Sequence, residues 1–231
     1  MLILAIDTTT RYGSVALVSE GNLLAEVNYV SPSSHSRQVF QAMDELLKVA
    51  GKKLSELDGL AIAAGPGSFT GIRIGLSLVK ALASASKKPV ASISALQALA
   101  HKVIFPGVEY ISPVIDARKG EIFACAYRLA GSELEEIVAA AAYNPEAYLN
   151  LLPRDSPVYF IGTGVDLYWP LIKEQLGQRA RIINRSYHLA AEIGLLGEEL
   201  LKLGRGLNPA QLEPIYYRQS QAEEKKAGKT D

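Results

Sequence analysis

The two halves of this 231-residue chain begin with the same pattern of hydrophobic and turn residues. In each half an apolar strand ends in Ile-Asp, at Asp7 and at Asp116, and a hairpin of two further strands follows. Strands and helices then alternate in both halves, which favours mixed sheets covered by helices. The sequence therefore predicts an α/β protein that arose by duplication of a β-β-β-α-β-α unit.

Hydrophobic periodicity and turn residues locate the individual elements. Strands are predicted near residues 2–6, 14–19, 23–30, 59–64, 90–93, 158–161 and 181–183, and helices near 37–50, 71–86, 95–104, 145–152, 165–176 and 189–203. The segment Phe105-Pro-Gly107 indicates a boundary between an N-terminal lobe at 1–104 and a C-terminal lobe at 105–218. The polar residues 219–231 are predicted to be a disordered tail.

Composition and charge limit the partners that the chain can hold by itself. Lys plus Arg and Asp plus Glu both number 24, so the formal net charge is zero. A protein that holds RNA alone usually has a basic excess, because phosphate contacts dominate the affinity. The single cysteine permits no disulfide within the chain, and neither a signal peptide nor a bilayer-spanning run is found. We therefore expect a cytoplasmic protein with no membrane partner.

The stretch AIAAGPGSFTGIRIG, residues 61–75, has the outline of a phosphate-binding loop without its chemistry. Gly65 and Gly71 are one residue too far apart for a Walker A loop, and neither Lys nor Ser/Thr follows. Thr70 takes the third glycine position of a dinucleotide fingerprint, and the G-x-S-x-G order of a nucleophile elbow is absent. The favoured interpretation is a glycine turn that lets a helix pack closely on a strand, with Thr70 as N-cap. Anion binding at the helix N-terminus stays open.

The helix predicted at 71–86 has almost no polar face. Its polar residues form one narrow stripe, which consists of Arg73, Ser77, Lys80 and Ser84. A helix that is apolar on most sides is buried either by its own fold or by a partner, and the residues alone leave both open. The helix at 37–50 has a second apolar stripe, so the two helices together are a candidate docking surface.

Residues suited to catalysis or metal binding are sparse. The histidines, His35, His101 and His188, stand far apart, and no H-x-x-x-H, H-E-x-x-H or cysteine cluster occurs. Neither a catalytic residue nor a metal site is therefore predicted. Asp7 and Asp116 end strands where a duplicated fold of this kind handles phosphate and magnesium, but each is also a typical turn-capping residue.

Several segments resemble the TsaB family, bacterial proteins of tRNA threonylcarbamoyladenosine biosynthesis. They extend from Leu2 to about Arg218 and read LAIDTTTRYGSVAL, SPSSHS, AAGPGSFTGIRIGLSLVKALA, VIDARKGEIF, GTG and EPIYYR. The resemblance implies the duplicated ribonuclease-H-like fold that actin, Hsp70 and sugar kinases share. One departure is Tyr217, which stands where the family usually has Leu.

The resemblance also implies a non-catalytic role beside the TsaD subunit, which transfers threonylcarbamoyl onto an adenosine next to the tRNA anticodon. Where TsaD carries its metal-binding H-x-x-x-H, this chain has only His35, with Val39 four residues on. The implied partners are TsaD, the TsaE ATPase in a larger complex, a second copy of this chain when it is alone, and tRNA only through the complex. The implied cofactors are none for the isolated chain and ATP or ADP within the complex.

Two sets of site residues follow from the resemblance. The helices of the N-terminal lobe are implied to meet the partner, at Val39, Met43, Phe69, Thr70, Gly71, Ile72, Gly75, Leu76 and Val79. A vestigial nucleotide site would comprise Asp7, Thr8, Asp116, Gly162 and Gly164.

Two other classes of function stay open. A small-molecule kinase or other ATP-binding protein of this fold is one, although IDTTT lacks the glycine of the first phosphate motif and no catalytic base is identifiable. A glycoprotease is the other, and it needs a zinc site or an activated nucleophile, neither of which is visible. ATP turnover by the isolated chain tests the first class and metal content tests the second.

Overall fold

The computed structural model describes residues 1–31 and 35–218 of the chain. It contains two five-stranded mixed sheets. The first sheet has the order β3-β2-β1-β4-β5, and its strands are β1 (Leu2–Asp7), β2 (Tyr12–Ser19), β3 (Asn22–Val30), β4 (Gly59–Gly65) and β5 (Val90–Ser94). The tail predicted to be disordered, 219–231, lies outside the described residues.

The second sheet repeats the arrangement of the first. Its order is β10-β9-β6-β7-β8, and its strands are β6 (Tyr110–Arg118), β7 (Glu121–Ala130), β8 (Glu133–Tyr143), β9 (Val158–Ile161) and β10 (Ala180–Ile182). In each sheet the first strand pairs antiparallel with the second strand and parallel with the fourth. The predicted duplication is therefore confirmed at the level of strand order and direction.

In the part of the chain that the structure describes, six α-helices form layers around the two sheets. They are α1 (Ser36–Ala50), α2 (Phe69–Ser86), α3 (Ala95–His101), α4 (Pro145–Leu149), α5 (Thr163–Leu176) and α6 (Ala190–Lys202). Helices α1 and α2 pack on one face of the first sheet, and α4 and α5 on one face of the second. Helices α3 and α6 lie in the central core, where the inner faces of both sheets meet.

The start of α2 differs from the prediction in its capping residue. The helix begins at Phe69, and Ser68 is its N-cap, with an extended backbone and a side-chain oxygen that accepts from the Gly71 amide at 3.3 Å. The prediction of Thr70 as N-cap is wrong, because Thr70 already has a position inside the first turn. Both residue types are good N-caps, so only the backbone conformation decides between them.

The last part of the chain returns to the first sheet. Helix α6 packs on β1, β2, β4 and β5, Leu207 forms a bridge with Val90, and the Ile215 amide donates to the Ala64 carbonyl at 2.8 Å. Residues 189–215 therefore follow the second sheet along the chain but pack mainly on the first. The lobe bounds 1–104 and 105–218 stay a prediction, since Tyr217 and Arg218 contact the second sheet. Local sequence patterns predict helices and strands, but they do not show which sheet a helix near the end of the chain packs on.

Small residues allow α6 to lie directly on the first sheet. Gly194 and Gly197 face the sheet, and the strands below them carry Ala5, Ala61 and Ala91. A Cβ added at Gly197 would lie 2.5 Å from the Ala61 Cβ, which is closer than real Cβ atoms approach. Larger side chains would therefore push the helix off the sheet.

We expect Gly197→Val to lower the free energy of unfolding by about 1–3 kcal/mol, because the added side chain has no room between α6 and β4. Glu199→Val, on the exposed side of the same helix, is the matched control and should cost only the helix-propensity difference, roughly 0.5 kcal/mol. Denaturant unfolding of both variants measures the difference. Equal losses would mean that α6 is not closely packed at Gly197.

Candidate functional site

A cleft of about 900 Å³ opens between the lobes, beyond the carboxyl ends of β1, β4, β6 and β9. Its lining includes Thr9, Thr10, Ser68 and Thr163, together with aromatic residues such as Phe69 and Tyr216. Ligands of α/β proteins usually bind at this end of the parallel strands. The cleft is therefore the first candidate for a binding site.

One wall of the cleft hides Asp7 and Thr8. Both residues are fully buried, and neither lines the cleft. Asp7 Oδ1 accepts from the Thr9 amide at 2.8 Å and from Thr9 Oγ1 at 2.7 Å, so the carboxylate caps its own turn. Burial raises the pKa of Asp7 to about 6, although the two bonds from Thr9 and the charge of Lys102 act in the opposite direction. Asp7 Oδ2 is buried with no hydrogen-bond partner within the described part of the chain.

The opposite wall holds the second aspartate and the predicted GTG turn. Asp116 lines the cleft with 20% of its side chain exposed, and its Oδ1 accepts from the Arg118 amide at 2.8 Å. Gly162 and Gly164 lie against β6, where a Cβ on either would collide with Val114. The structure thus brings Asp116 and the GTG turn together on one wall, and it keeps Asp7 and Thr8 behind the other.

The glycine loop before α2 packs against the chain's own backbone. A Cβ on Gly67 would collide with the Thr9 carbonyl, one on Gly71 with the Thr8 carbonyl, and one on Gly65 with the Ile215 carbonyl. The Ser68 amide donates to the Thr9 carbonyl at 2.6 Å, and Thr8 Oγ1 donates to the Gly71 carbonyl at 2.7 Å. The predicted close packing is confirmed, but the surface that approaches the glycines is the β1–β2 turn and the returning C-terminal segment.

This packing leaves little of an anion site at the start of α2. Free amides at a helix N-terminus are what bind an anion. Here the Ser68 amide is bonded to the Thr9 carbonyl and the Gly71 amide to the Ser68 hydroxyl. Anion binding at this helix N-terminus was left open by the sequence. Two of the amides that would bind the anion already donate to groups of this chain.

The residues Ile215–Arg218, which we call the strap, cross the cleft from the first lobe to the second. The Tyr216 ring stacks on Phe69 of α2 with 4.9 Å between centroids, and its hydroxyl accepts from Arg73 Nε at 3.3 Å. The Tyr217 ring lies 6.3 Å from that of Phe123 on β7. Arg218 pairs with Glu121 at 2.8 Å. The strap therefore ties the two lobes together and forms part of the cleft wall. The sequence offered only the EPIYYR motif as a signal for it.

Most of the residues predicted to meet a partner are buried in this chain's own core. The buried members are Val39, Met43, Gly71, Ile72, Gly75, Leu76 and Val79. The physical reason is the returning segment, since Leu207, Leu212 and Ile215 pack in the same cluster as α2. Of the two alternatives that the sequence left open for α2, its own fold buries these positions, and their contact with a partner stays a prediction. Phe69 and Thr70 remain partly exposed at the cleft.

Helices α1 and α2 expose a different set of residues to solvent. The predicted polar stripe of α2 is its outward side, with Arg73, Ser77 and Ser84 exposed. On α1, Phe40 and Val49 are large apolar side chains that are 53% and 74% exposed. Phe40 and Val49 are nine residues apart and so lie on opposite flanks of α1. A partner on either flank would contact one of them and not the buried positions.

The three histidines have separate surroundings. His35 lies 3.3 Å from the Tyr29 hydroxyl, and His188 Nδ1 lies 3.1 Å from the Gly13 carbonyl. His101 is at the end of α3, and burial lowers its pKa. Within residues 1–31 and 35–218, no three His, Cys, Asp or Glu side chains are grouped closely enough to hold a metal ion. Among the same residues, no helix has both the length and the apolar character that crossing a membrane requires.

Comparison with solved structures places the fold among the sugar-kinase and actin type. A ROK hexokinase from Thermus thermophilus superposes with a TM-score of 0.52 at 15% sequence identity, and the match covers 87% of this chain and 100% of the hexokinase. At this identity the match shows that the two proteins share a fold and nothing more. A Pseudomonas aeruginosa structure, described as an uncharacterized protein with similarity to peptidase YeaZ, has a TM-score of 0.80 at 31% identity, covering 94% and 99%. The predicted fold class is confirmed.

Comparison with protein sequences defines the family. The model of TsaD, tRNA N6-adenosine threonylcarbamoyltransferase, matches residues 27–226. The tRNA threonylcarbamoyladenosine biosynthesis protein TsaB of Bacillus subtilis strain 168 is 32% identical over 229 residues, which cover 97% of each chain. This chain belongs to the TsaB family.

The raised pKa of Asp7 predicts a specific pH dependence of stability. Between about pH 4 and pH 6 the unfolded chain loses the Asp7 proton and the folded chain keeps it, so the free energy of unfolding falls as the pH rises through this window. Two pKa units correspond to about 3 kcal/mol. Asp7→Asn retains an oxygen for Thr9 but cannot ionise, so its stability relative to the wild type should rise by up to about 3 kcal/mol from pH 4 to pH 7.

Chemical denaturation of the wild type and Asp7→Asn at several pH values measures how the difference between their free energies of unfolding changes with pH. Asp155→Asn, the same substitution at an exposed position, is the matched control. A constant difference between Asp7→Asn and the wild type would show that Asp7 ionises normally in the folded protein.

The stacked pair at the strap gives a second prediction. In a double-mutant cycle with Phe69→Ala and Tyr216→Ala, the coupling energy should be about 0.5–1.5 kcal/mol, as for other aromatic pairs. Tyr216→Phe keeps the stack and loses only the bond from Arg73, so it should retain most of the coupling. A coupling near zero, measured by denaturant unfolding, would mean that the strap does not hold Phe69 in solution.

Proposed function

We propose that this chain is the non-catalytic, activating subunit of the complex that forms threonylcarbamoyladenosine beside the anticodon of tRNA. It acts by pairing with the TsaD transferase in the cytoplasm, and it contacts tRNA only within that complex. Membership in the TsaB family supports a role in tRNA threonylcarbamoyladenosine biosynthesis. The observation that carries the non-catalytic role is the glycine loop, because its glycines pack against the Thr8, Thr9 and Ile215 carbonyls and the Ser68 and Gly71 amides already have acceptors.

The cleft is proposed to bind nucleotide only with help from the complex. Asp116 and Thr163 still line one wall, which is the part of the vestigial site that a nucleotide can reach. Asp7 and Thr8 are fully covered on the other side. We therefore propose that the isolated chain neither turns over ATP nor binds it tightly, and that ATP or ADP enters only when the partner completes the site. A small-molecule kinase, by contrast, would bind and turn over ATP by itself.

The outward side of α1 and α2 is proposed to be the docking surface for TsaD, and for a second copy of this chain when it is alone. Phe40 and Val49 offer apolar area there without any rearrangement of the core. The TsaE ATPase would join the larger complex. Because Leu76 and Val79 are buried in the chain's own core, charged substitutions there are expected to unfold the protein and cannot test docking.

Phe40→Asp tests the proposed surface. We expect this variant to remain folded by circular dichroism, because Phe40 is half exposed, and to lose pairing with TsaD on size exclusion, since a charge in a dry contact costs several kcal/mol. Leu203→Asp, at a 61% exposed apolar residue after α6, is the matched control and should pair normally. Threonylcarbamoyl transfer to tRNA is then measured with each mixture, and Phe40→Asp should not activate the transferase.

Two outcomes would contradict the proposal. Transfer to tRNA by this chain with no other subunit present would make it a catalyst in its own right. Normal pairing and activation by Phe40→Asp would place the interface elsewhere on the chain.

A further inference from the structure

One exposed edge of the second lobe concentrates positive charge in a chain whose net charge is zero. Strand β10 has a hydrogen-bonded neighbour on one side only among the described strands, so it is the outer strand of its sheet. The arginines on this strand and in the segments beside it form what we call the arginine edge, namely Arg154, Arg179, Arg181 and Arg185.

Three of these guanidinium groups gather around one turn, Gly177–Arg179. Arg179 Nη1 donates to the Pro153 carbonyl at 2.7 Å, which brings it beside Arg154 in the loop before β9. Arg181 Nη1 donates to the Gln178 carbonyl at 2.5 Å and so lies against the same turn. Next to the turn is a cavity of about 370 Å³, which Arg154 and Arg179 line together with leucines and the two carboxamides of Asn150 and Gln175.

These arginines differ from three others in the structure by lacking acidic partners. Arg118, Arg128 and Arg218 each pair with a carboxylate within 3.5 Å. In the part of the chain that the structure describes, no ion pair joins an arginine of the edge to a carboxylate. Asp155 and Glu174 lie close by in the sequence, but the segment 175–188 holds three arginines and no acidic residue. The positive charge of the edge is therefore not neutralised within the chain.

We propose that the arginine edge binds the phosphate backbone of tRNA when this chain is part of the transferase complex. The inference rests on the proposed function, which brings tRNA to the complex. Guanidinium groups present paired donors that match phosphate oxygens, and several of them at one edge of the lobe suit a polyanion. Four arginines are too few for the isolated, neutral chain to hold RNA strongly, but they add to the contacts that the partner makes.

The test is the tRNA affinity of the assembled complex at several salt concentrations. Arg181→Gln/Arg185→Gln removes two exposed charges of the edge, and Arg128→Gln/Arg205→Gln removes two exposed charges from other parts of the surface as the matched control. We expect the edge variant to bind tRNA several-fold more weakly near physiological salt. The slope of log affinity against log salt should become shallower by about 0.7–0.9 for each phosphate that the variant no longer neutralises. The control should retain the wild-type slope.

Each other outcome overturns the inference in a distinguishable way. If both variants bind tRNA like the wild type while the complex assembles and modifies tRNA, the arginine edge does not touch RNA and the proposed function stands. If the edge variant fails to assemble on size exclusion, the edge meets a protein instead. If the wild-type chain itself does not assemble with the transferase, the proposed function fails and the inference falls with it.

Discussion

The first hairpin packs its backbone directly on the glycine loop, and the arrangement of the first lobe depends on that contact. Gly67, Gly71 and Gly75 have no side chain because the turn after β1 occupies the space that one would fill. The hydrogen bond from the Ser68 amide to the Thr9 carbonyl fixes the start of α2 relative to β1. Phosphate-binding loops use glycines so that a phosphate can come close to the backbone. Here the glycines let the backbone of the β1–β2 turn come close instead.

The returning C-terminal segment adds further packing contacts to α2. Leu212 is fully buried in the cluster that contains α2, and the strap carries Tyr216 onto Phe69 and Arg218 onto Glu121 of the second lobe. One segment therefore covers a flank of α2, closes part of the cleft and joins the lobes. This explains how a helix with a single polar stripe can be buried mostly within its own chain.

The sequence predicted the helices and strands well, but it did not predict which distant segments bury them. Strand and helix bounds follow from hydrophobic periodicity, and the equivalence of Asp7 and Asp116 follows from the repeat, so both were predictable. The burial of Leu76 and Val79 was not, because the residues that help to cover their helix come from a segment more than 100 residues later in the chain. The choice of Ser68 over Thr70 as N-cap depends on backbone angles that residue type alone does not determine.

The distribution of paired and unpaired charge separates the two surfaces that could meet an anion. At the cleft, Arg11 donates to the Tyr12 hydroxyl at 2.7 Å, Arg118 pairs with Asp116, and Arg218 pairs with Glu121. A nucleotide phosphate entering the cleft would have to displace these contacts, so binding there gains from a partner that supplies further donors. At the arginine edge, Arg179 and Arg181 each donate to a backbone carbonyl, but no carboxylate pair has to be broken before a polyanion binds. The same fold thus has a cleft whose arginines are already bonded and a basic edge without carboxylate partners. We expect tRNA binding at the edge to weaken as salt rises, because the nucleic acid releases counterions when arginines neutralise its phosphates.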